Sequence, residues 1–213
     1  AMKTYLAGAR LLLKRGRPDE ALASFGRIDD LIARMGSITR QLKSFARKDQ
    51  EHREPVEMQQ ALDAALEMME PQLRRRSIRI TKVFPPDEVI VMADRTRIAQ
   101  VIVNLLRNAV DATKSIELPE LEIVLGAGRE VVLTIRDNGP GIADLDALFE
   151  PFYTTKAPGE GVGLGLAISS GIVADLGGRL TARNVSGGGA VFEIRLPSSK
   201  AQPRAVLSQT AAE

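Results

Sequence analysis

Two carboxamides and a carboxylate stand in helical register in the segment Asn104-Leu-Leu-Arg-Asn108-Ala-Val-Asp111. Asn104, Asn108 and Asp111 fall at i, i+4 and i+7, so on a helix they share one stripe. Beside the stripe, Ile98, Val101, Ile102, Leu105, Leu106, Ala109 and Val110 follow helical spacing and form a broad apolar face. Asn is a mediocre helix former, so propensity does not account for the pair. A solvated polar stripe would account for it. So would a magnesium–phosphate ligand, because carboxamide oxygens suit a hard cation that keeps waters and phosphate oxygens.

Three further motifs follow in order. Asp137-Asn-Gly-Pro-Gly141-Ile142 comes directly after Val131-Val-Leu-Thr-Ile135-Arg, an apolar-rich run that reads as a strand. Asp137 therefore sits at a strand end, where the chain must turn sharply. A fixed carboxylate there accepts a hydrogen bond from the exocyclic amino group of adenine, whereas guanine presents a carbonyl at that position. An ordinary Asp-Asn-Gly turn is the alternative. Next, Phe149-Glu-Pro-Phe-Tyr-Thr-Thr-Lys156 concentrates three aromatics in a chain with only six Phe and two Tyr. Phe149 and Phe152 read as a clamp for the base of a lid, and Lys156 as a phosphate contact or a solvated loop lysine. Last, Gly161, Gly163 and Gly165 precede an apolar helical run from Leu166 to Leu176. Glycines let backbone N–H groups approach phosphate oxygens, and the helix points its positive end at the same anion. A flexible hinge is the other reading. No Lys-Ser/Thr pair follows the glycines and they follow a polar loop, so this is neither a Walker loop nor a Rossmann fingerprint.

Together these segments resemble the N box, first glycine box, F box and second glycine box of bacterial sensor histidine kinases. The resemblance runs from about Glu54 to Pro197. It implies a Bergerat-type ATP-binding fold, an α/β (α+β) two-layer sandwich with helices on one side of a mixed sheet. It implies ATP and magnesium as ligands. Asn108 would bind the metal with Asn104 in support, and Arg107, Asp111, Thr155 and Lys156 would lie near the phosphates. Asp137, Gly139, Gly141 and Ile142 would hold adenine, while Gly161, Val162, Gly163, Leu164, Gly165 and Leu166 would wrap the triphosphate as a mobile lid. Gyrase-like and mismatch-repair ATPases of the same fold carry Glu where this chain has Asn104. That Glu activates water, and a carboxamide cannot take the proton. The expected site binds ATP, hydrolyses it poorly and has no residue assigned to catalysis. The group would pass to a histidine and then to an aspartate on a response-regulator receiver domain.

The chain's one histidine, His52, lies in Lys48-Asp-Gln-Glu-His-Arg-Glu-Pro55. The family's acceptor is followed by an acidic residue and then by Pro five positions on. Here Arg53 follows, and Pro55 comes three positions on, so His52 reads as a linker residue. Upstream, Tyr5, Leu6, Ala9, Leu12 and Leu13 form one short amphipathic helix, which Gly16-Arg-Pro18 breaks. A second helix is expected from there to about Arg47, with Phe25, Ile28, Ile32, Met35, Thr39 and Leu42 along a bundle-like stripe. A surface helix packed on its own domain is the alternative. The segment Lys3 to Arg17 resembles the second half of the dimerisation helix in four-carbon dicarboxylate sensor kinases. That resemblance implies a homodimer in a longer protein, with the acceptor histidine before Ala1.

Composition is compatible. A 213-residue chain with 44% hydrophobic residues allows one good domain plus an appendage. A net charge of +2, with no basic run interleaved with aromatics, gives no reason to expect nucleic acid. Absence of Cys excludes disulfides and thiolate metal sites and fits a cytoplasmic domain. No apolar run is long enough to span a bilayer. A membrane connection is expected only through missing N-terminal parts of an inner-membrane protein.

The expected organisation is a truncated helical hairpin over 1–47, a linker over 48–55, the ATP-binding domain over 56–197 and a frayed tail over 198–213. Val56 to Arg76 reads as a short strand entering a helix. Ile78 to Val83 and Val89 to Met92 are expected to pair around Pro85-Pro86, and Leu121 to Leu125 to pair with Val131 to Arg136. Arg179 to Asn184 and Ala190 to Leu196 form a closing hairpin, with Phe192, Ile194 and Leu196 pointing inward.

Overall fold

The computed structural model describes residues 2–29, 32, 36, 53–156 and 162–199. The second helix beyond residue 29 (apart from residues 32 and 36), His52, Gly161 and the tail from residue 200 lie outside the described residues. The chain divides into two compact units, one of Ala1–Asp49 with Thr154–Val162, the other of Gln50–Tyr153 with Gly163–Glu213.

In the first unit, helix α1 (Met2–Lys14) is followed by a turn and helix α2 (18–29). Gly16 has φ +71°, the left-handed conformation that suits a helix end. Pro18 opens α2, where its missing N–H costs nothing. Arg17 pairs with Glu20 in the first turn. Ala9 and Ala21 are buried, whereas Leu6, Leu11, Leu13, Leu22 and Ile32 are exposed.

The second unit is an α/β two-layer structure. Strands β1 (Glu54–Glu57) and β3 (Ile90–Ala93) form an antiparallel pair. A five-stranded sheet has the order β2-β4-β5-β7-β6, where β2 is Arg79–Val83, β4 Glu120–Ala127, β5 Glu130–Asp137, β6 Arg179–Asn184 and β7 Ala190–Pro197. Only β2 and β4 run parallel; the other neighbours are antiparallel. Helices α4 (Arg95–Ala112) and α5 (Gly165–Asp175) pack on it, and α3 (Met58–Arg75) packs against α4 and β1, so that α4 lies between the other two.

Strand alternation makes the two faces unlike. Leu121, Ile123 and Leu125 on β4, Val131, Leu133 and Ile135 on β5, and Ile194 and Leu196 on β7 are buried toward the helices. Residues of opposite parity carry Glu122, Arg136, Glu130, Glu193 and Arg195, which form ion pairs on the outer face. The apolar stripe of α4 is buried from Ile98 to Val110, as its spacing predicts. Asp94 caps that helix, its carboxylate accepting from the N–H groups of Thr96 at 2.8 Å and Arg97 at 3.0 Å.

One expected pairing is wrong. The strands around Pro85-Pro86 do not pair with each other: β2 joins β4, and β3 joins β1. Prolines lack the N–H and the torsional freedom of a tight hairpin turn. The connection is instead held by Gln59 of α3, which accepts from Val89 N at 3.0 Å and donates to Asp87 O at 2.8 Å. Strand β1 starts at Glu54, inside the expected linker. At the other end, Ser198 is buried and Ser199 Oγ donates to Ile90 O at 2.9 Å, so the first residues of the expected tail are packed.

Candidate functional site

Asp137 continues the buried row Val131, Leu133, Ile135 of β5. Alternation therefore turns its carboxylate toward the helical layer rather than to water, and the residue is 2% exposed. Oδ1 accepts from Gly139 N at 2.8 Å and from Ala190 N at 3.4 Å. Burial raises its pKa above the ordinary carboxylate value, and the two backbone donors offset part of that rise. Oδ2 takes no hydrogen bond from the described residues. Every fully buried side-chain polar atom among them has a partner, so Oδ2, which has none, keeps contact with solvent and is the oxygen open to an incoming donor.

The loop after Asp137 crosses the end of α4. A Cβ on Gly139 would lie 2.8 Å from Ala112 O, so glycine is what lets the loop lie on the helix terminus. Arg76 caps the same terminus, donating to Val110 O at 2.6 Å and Thr113 O at 2.9 Å. Asn138 turns the other way and holds the connection before β4, accepting from Glu120 N at 2.9 Å and donating to Leu118 O at 2.8 Å. Gly141 has φ +86°, and Asn184 bonds both the N–H and the carbonyl of Ile142.

On α4, Asn104 is half-buried and donates from Nδ2 to Ser169 Oγ at 3.0 Å. A Cβ on Gly165 would sit 2.5 Å from Asn104 Oδ1, so the first turn of α5 lies directly against this carboxamide. Asn108 is half-buried one turn further along. Asp111 pairs with Lys114 at 3.0 Å, and Arg107 is exposed. Gly163, with φ +72°, packs on the backbone of Phe152 and Tyr153, and its carbonyl accepts from Phe152 N at 2.9 Å. Leu164 is buried and Leu166 half-buried. Phe152 is 66% exposed, and it is its backbone that meets the glycine segment at Gly163.

The N box thus meets the second glycine box through Asn104 and Gly165, and the first glycine box through Ala112 and Gly139. Thr155, Lys156 and Val162 belong to the other compact unit, where Lys156 N donates to Thr154 Oγ1 at 3.2 Å. An open groove of about 600 Å³ lies elsewhere, between α3 and β2, lined in part by Leu66, Leu73, Ile78 and Ile80. It contains no residue of the four motifs. Sequence reasoning missed Ser169, Asn184 and Arg76. Ser169 carries a weak signal, being a polar residue on the apolar run that follows the glycines.

Residues 93–200 match the family model described as histidine kinase-, DNA gyrase B-, and HSP90-like ATPase. The C4-dicarboxylate transport sensor protein DctB of Pseudomonas aeruginosa is 39% identical over 201 residues, covering 92% of this chain and 33% of that protein. Among solved structures, the catalytic domain of histidine kinase ThkA aligns at 29% identity and a TM-score of 0.62, over 68% of this chain and 97% of that one. Full-length ShkA in complex with AMPPNP aligns at 27% identity and a TM-score of 0.70, over 92% of this chain and 43% of that one. The chain spans about a third of the length of the curated relatives it matches. No helix among the described residues is long and apolar enough to cross a membrane.

Proposed function

This chain belongs to the family of histidine kinase-, DNA gyrase B- and HSP90-like ATPases, with sensor histidine kinases among its relatives, and from that premise we propose that it is the ATP-binding kinase part of a sensor histidine kinase. The γ-phosphoryl group would leave ADP and form a P–N bond to a histidine imidazole, then pass to an aspartate of a response-regulator receiver domain. The observation that carries this reading is Asp137, a buried carboxylate with one oxygen engaged by two backbone N–H groups and the other open. Such a group selects a donor of the kind adenine presents and rejects a carbonyl.

The roles we assign are those the resemblance to sensor histidine kinases implies. Asp137, with the Gly139, Gly141 and Ile142 loop, receives the base. Gly163, Leu164, Gly165 and Leu166 present backbone N–H groups and a helix N-terminus to phosphate oxygens. Arg107 and Asp111 serve the phosphates more peripherally. Asn104 and Asn108 fit magnesium. Ser169 takes the Asn104 amide nitrogen, which leaves its oxygen as the ligand atom. Among the described residues no group of three or more His, Cys, Asp or Glu side chains could hold a metal alone. A donor set of two carboxamides suits an ion that arrives with phosphate and water ligands. When bound, magnesium neutralises phosphate charge; the chain's own groups bind, orient and exclude water.

Asn104 also separates kinase from hydrolase, because a carboxamide cannot accept a proton from attacking water. The hairpin is read as part of a homodimeric bundle. Its exposed Leu6, Leu11, Leu13, Leu22 and Ile32 are the side chains such a partner would cover. The C4-dicarboxylate transport sensors are the branch we assign, with any membrane attachment in parts beyond this chain.

The test is phosphoryl transfer in trans. Chain, γ-labelled ATP and a purified histidine-bearing four-helix bundle are mixed. Acid-labile label should appear on the bundle and vanish with Asp137→Asn. Rapid phosphate release without label would instead favour the ATPase reading.

A further inference from the structure

We propose that Asn184 is a positioning residue for nucleotide recognition, pinning the loop that receives the base; this rests on the reading of Asp137 and its loop as the adenine site. Asn184 ends strand β6, outside the four motifs and 42 residues from the loop it touches. Its Oδ1 accepts from Ile142 N at 2.7 Å, and its Nδ2 donates to Ile142 O at 2.9 Å. A carboxamide gripping both polar groups of one residue imitates a strand pairing and fixes that residue's position and orientation.

The loop needs such support. Pro140 has no N–H, and Gly141 stands at φ +86° with the widest torsional freedom of any residue. From Pro140 to Ala143, the two bonds from Asn184 are the only hydrogen bonds to the backbone among the described residues. The approach is tight: a Cβ on Gly141 would lie 2.8 Å from Asn184 Oδ1. Glycine at 141 therefore serves the Asn184 grip as well as the turn.

The same end of the β6–β7 hairpin also holds Asp137. Asn184 is paired in register with Ala190, whose N–H donates to Asp137 Oδ1. Carboxylate and loop are thus referenced to one strand pair, Asp137 through Ala190 and Ile142 through Asn184. Asn184 is exposed and disfavoured in strands by propensity, so neither core packing nor β preference explains it. Loosening the loop would reduce the fraction of molecules ready for the base and weaken apparent affinity in proportion.

The experiment is calorimetric titration of magnesium-ADP and magnesium-GDP into wild type, Asn184→Ala, Asn184→Asp and Asp137→Asn, with thermal unfolding of each. Asn184→Ala should bind ADP roughly tenfold more weakly, as expected for two lost orienting hydrogen bonds. Its midpoint should stay near wild type, and its preference for ADP over GDP should shrink. Asn184→Asp keeps the bond from Ile142 N but sets a carboxylate against Ile142 O, so it should bind no better than Asn184→Ala. It also serves as the second variant should Asn184→Ala fail to fold. Wild-type affinity and base preference in a folded Asn184 variant, with binding abolished in Asp137→Asn, would overturn the role of Asn184 and leave the adenine site standing. Equal binding of ADP by wild type and Asp137→Asn would overturn the site itself, and this inference with it.

Discussion

Asn104 donates from Nδ2 to the buried Oγ of Ser169 at 3.0 Å, and this bond ties the helix bearing the carboxamide stripe to the helix that follows the glycines. Under the proposed metal role of Asn104, it leaves Oδ1 as the ligand atom. Ser169→Ala would strand Nδ2 and let the amide turn over. The expected cost to stability is about 1–2 kcal/mol. Magnesium-dependent ADP affinity should fall roughly tenfold, as when groups orienting a metal ligand are removed. Titrations with and without magnesium check this, and an unchanged magnesium dependence would count against it.

Gly165→Ala would place a methyl group 2.5 Å from Asn104 Oδ1. Either α5 shifts away from α4 or the carboxamide rotates out of place. A stability loss of about 1–3 kcal/mol is expected from the overpacking, with nucleotide binding lost more completely than stability. Urea unfolding and titration of the same preparation separate the two effects.

Asp137 gives a pH signature. Burial raises its pKa, so the folded state holds the proton more tightly than the unfolded chain does. The stabilisation from this group is complete below the unfolded pKa and is lost as pH rises through the folded one. At neutral pH the buried charge is therefore a cost, which Asp137→Asn removes. The variant should be at least as stable as wild type at neutral pH, with the gap closing as pH falls toward the carboxylate range. Thermal unfolding of both proteins across that range is the check. A variant that gains nothing at neutral pH would mean the two backbone donors outweigh burial.

Arg76 caps α4 from outside the motifs through Val110 O and Thr113 O. Arg76→Ala should cost about 1–3 kcal/mol, because both bonds involve a charged donor. Amide exchange should rise in the last turn of α4 and in the Gly139 loop lying on it, while β4 and β5 stay protected.

Much of this site was legible in the sequence because its signals are local. The α4 stripe and its apolar face follow from a 3.6-residue period, and the inward row that ends at Asp137 follows from alternation along one strand. The closing hairpin was legible because its glycines lie between two alternating runs. What escaped depends on contacts distant along the chain. Asn104 and Ser169 are 65 residues apart, Ile142 and Asn184 42, and Arg76 and Thr113 37. No period or turn signal links such residues. The parallel pairing of β2 with β4 escaped for the same reason, since two strands flanking a diproline look locally like a hairpin.

Calorimetric titration of magnesium-ATP into the purified chain, beside Asp137→Asn, goes straight to the heart of the matter. One saturable site should appear, preferring adenine over guanine nucleotides, nearly silent in a folded Asp137→Asn and accompanied by little phosphate release. A folded wild-type chain that takes up no ATP, or a variant that binds it equally well, would contradict a nucleotide site built around that buried carboxylate.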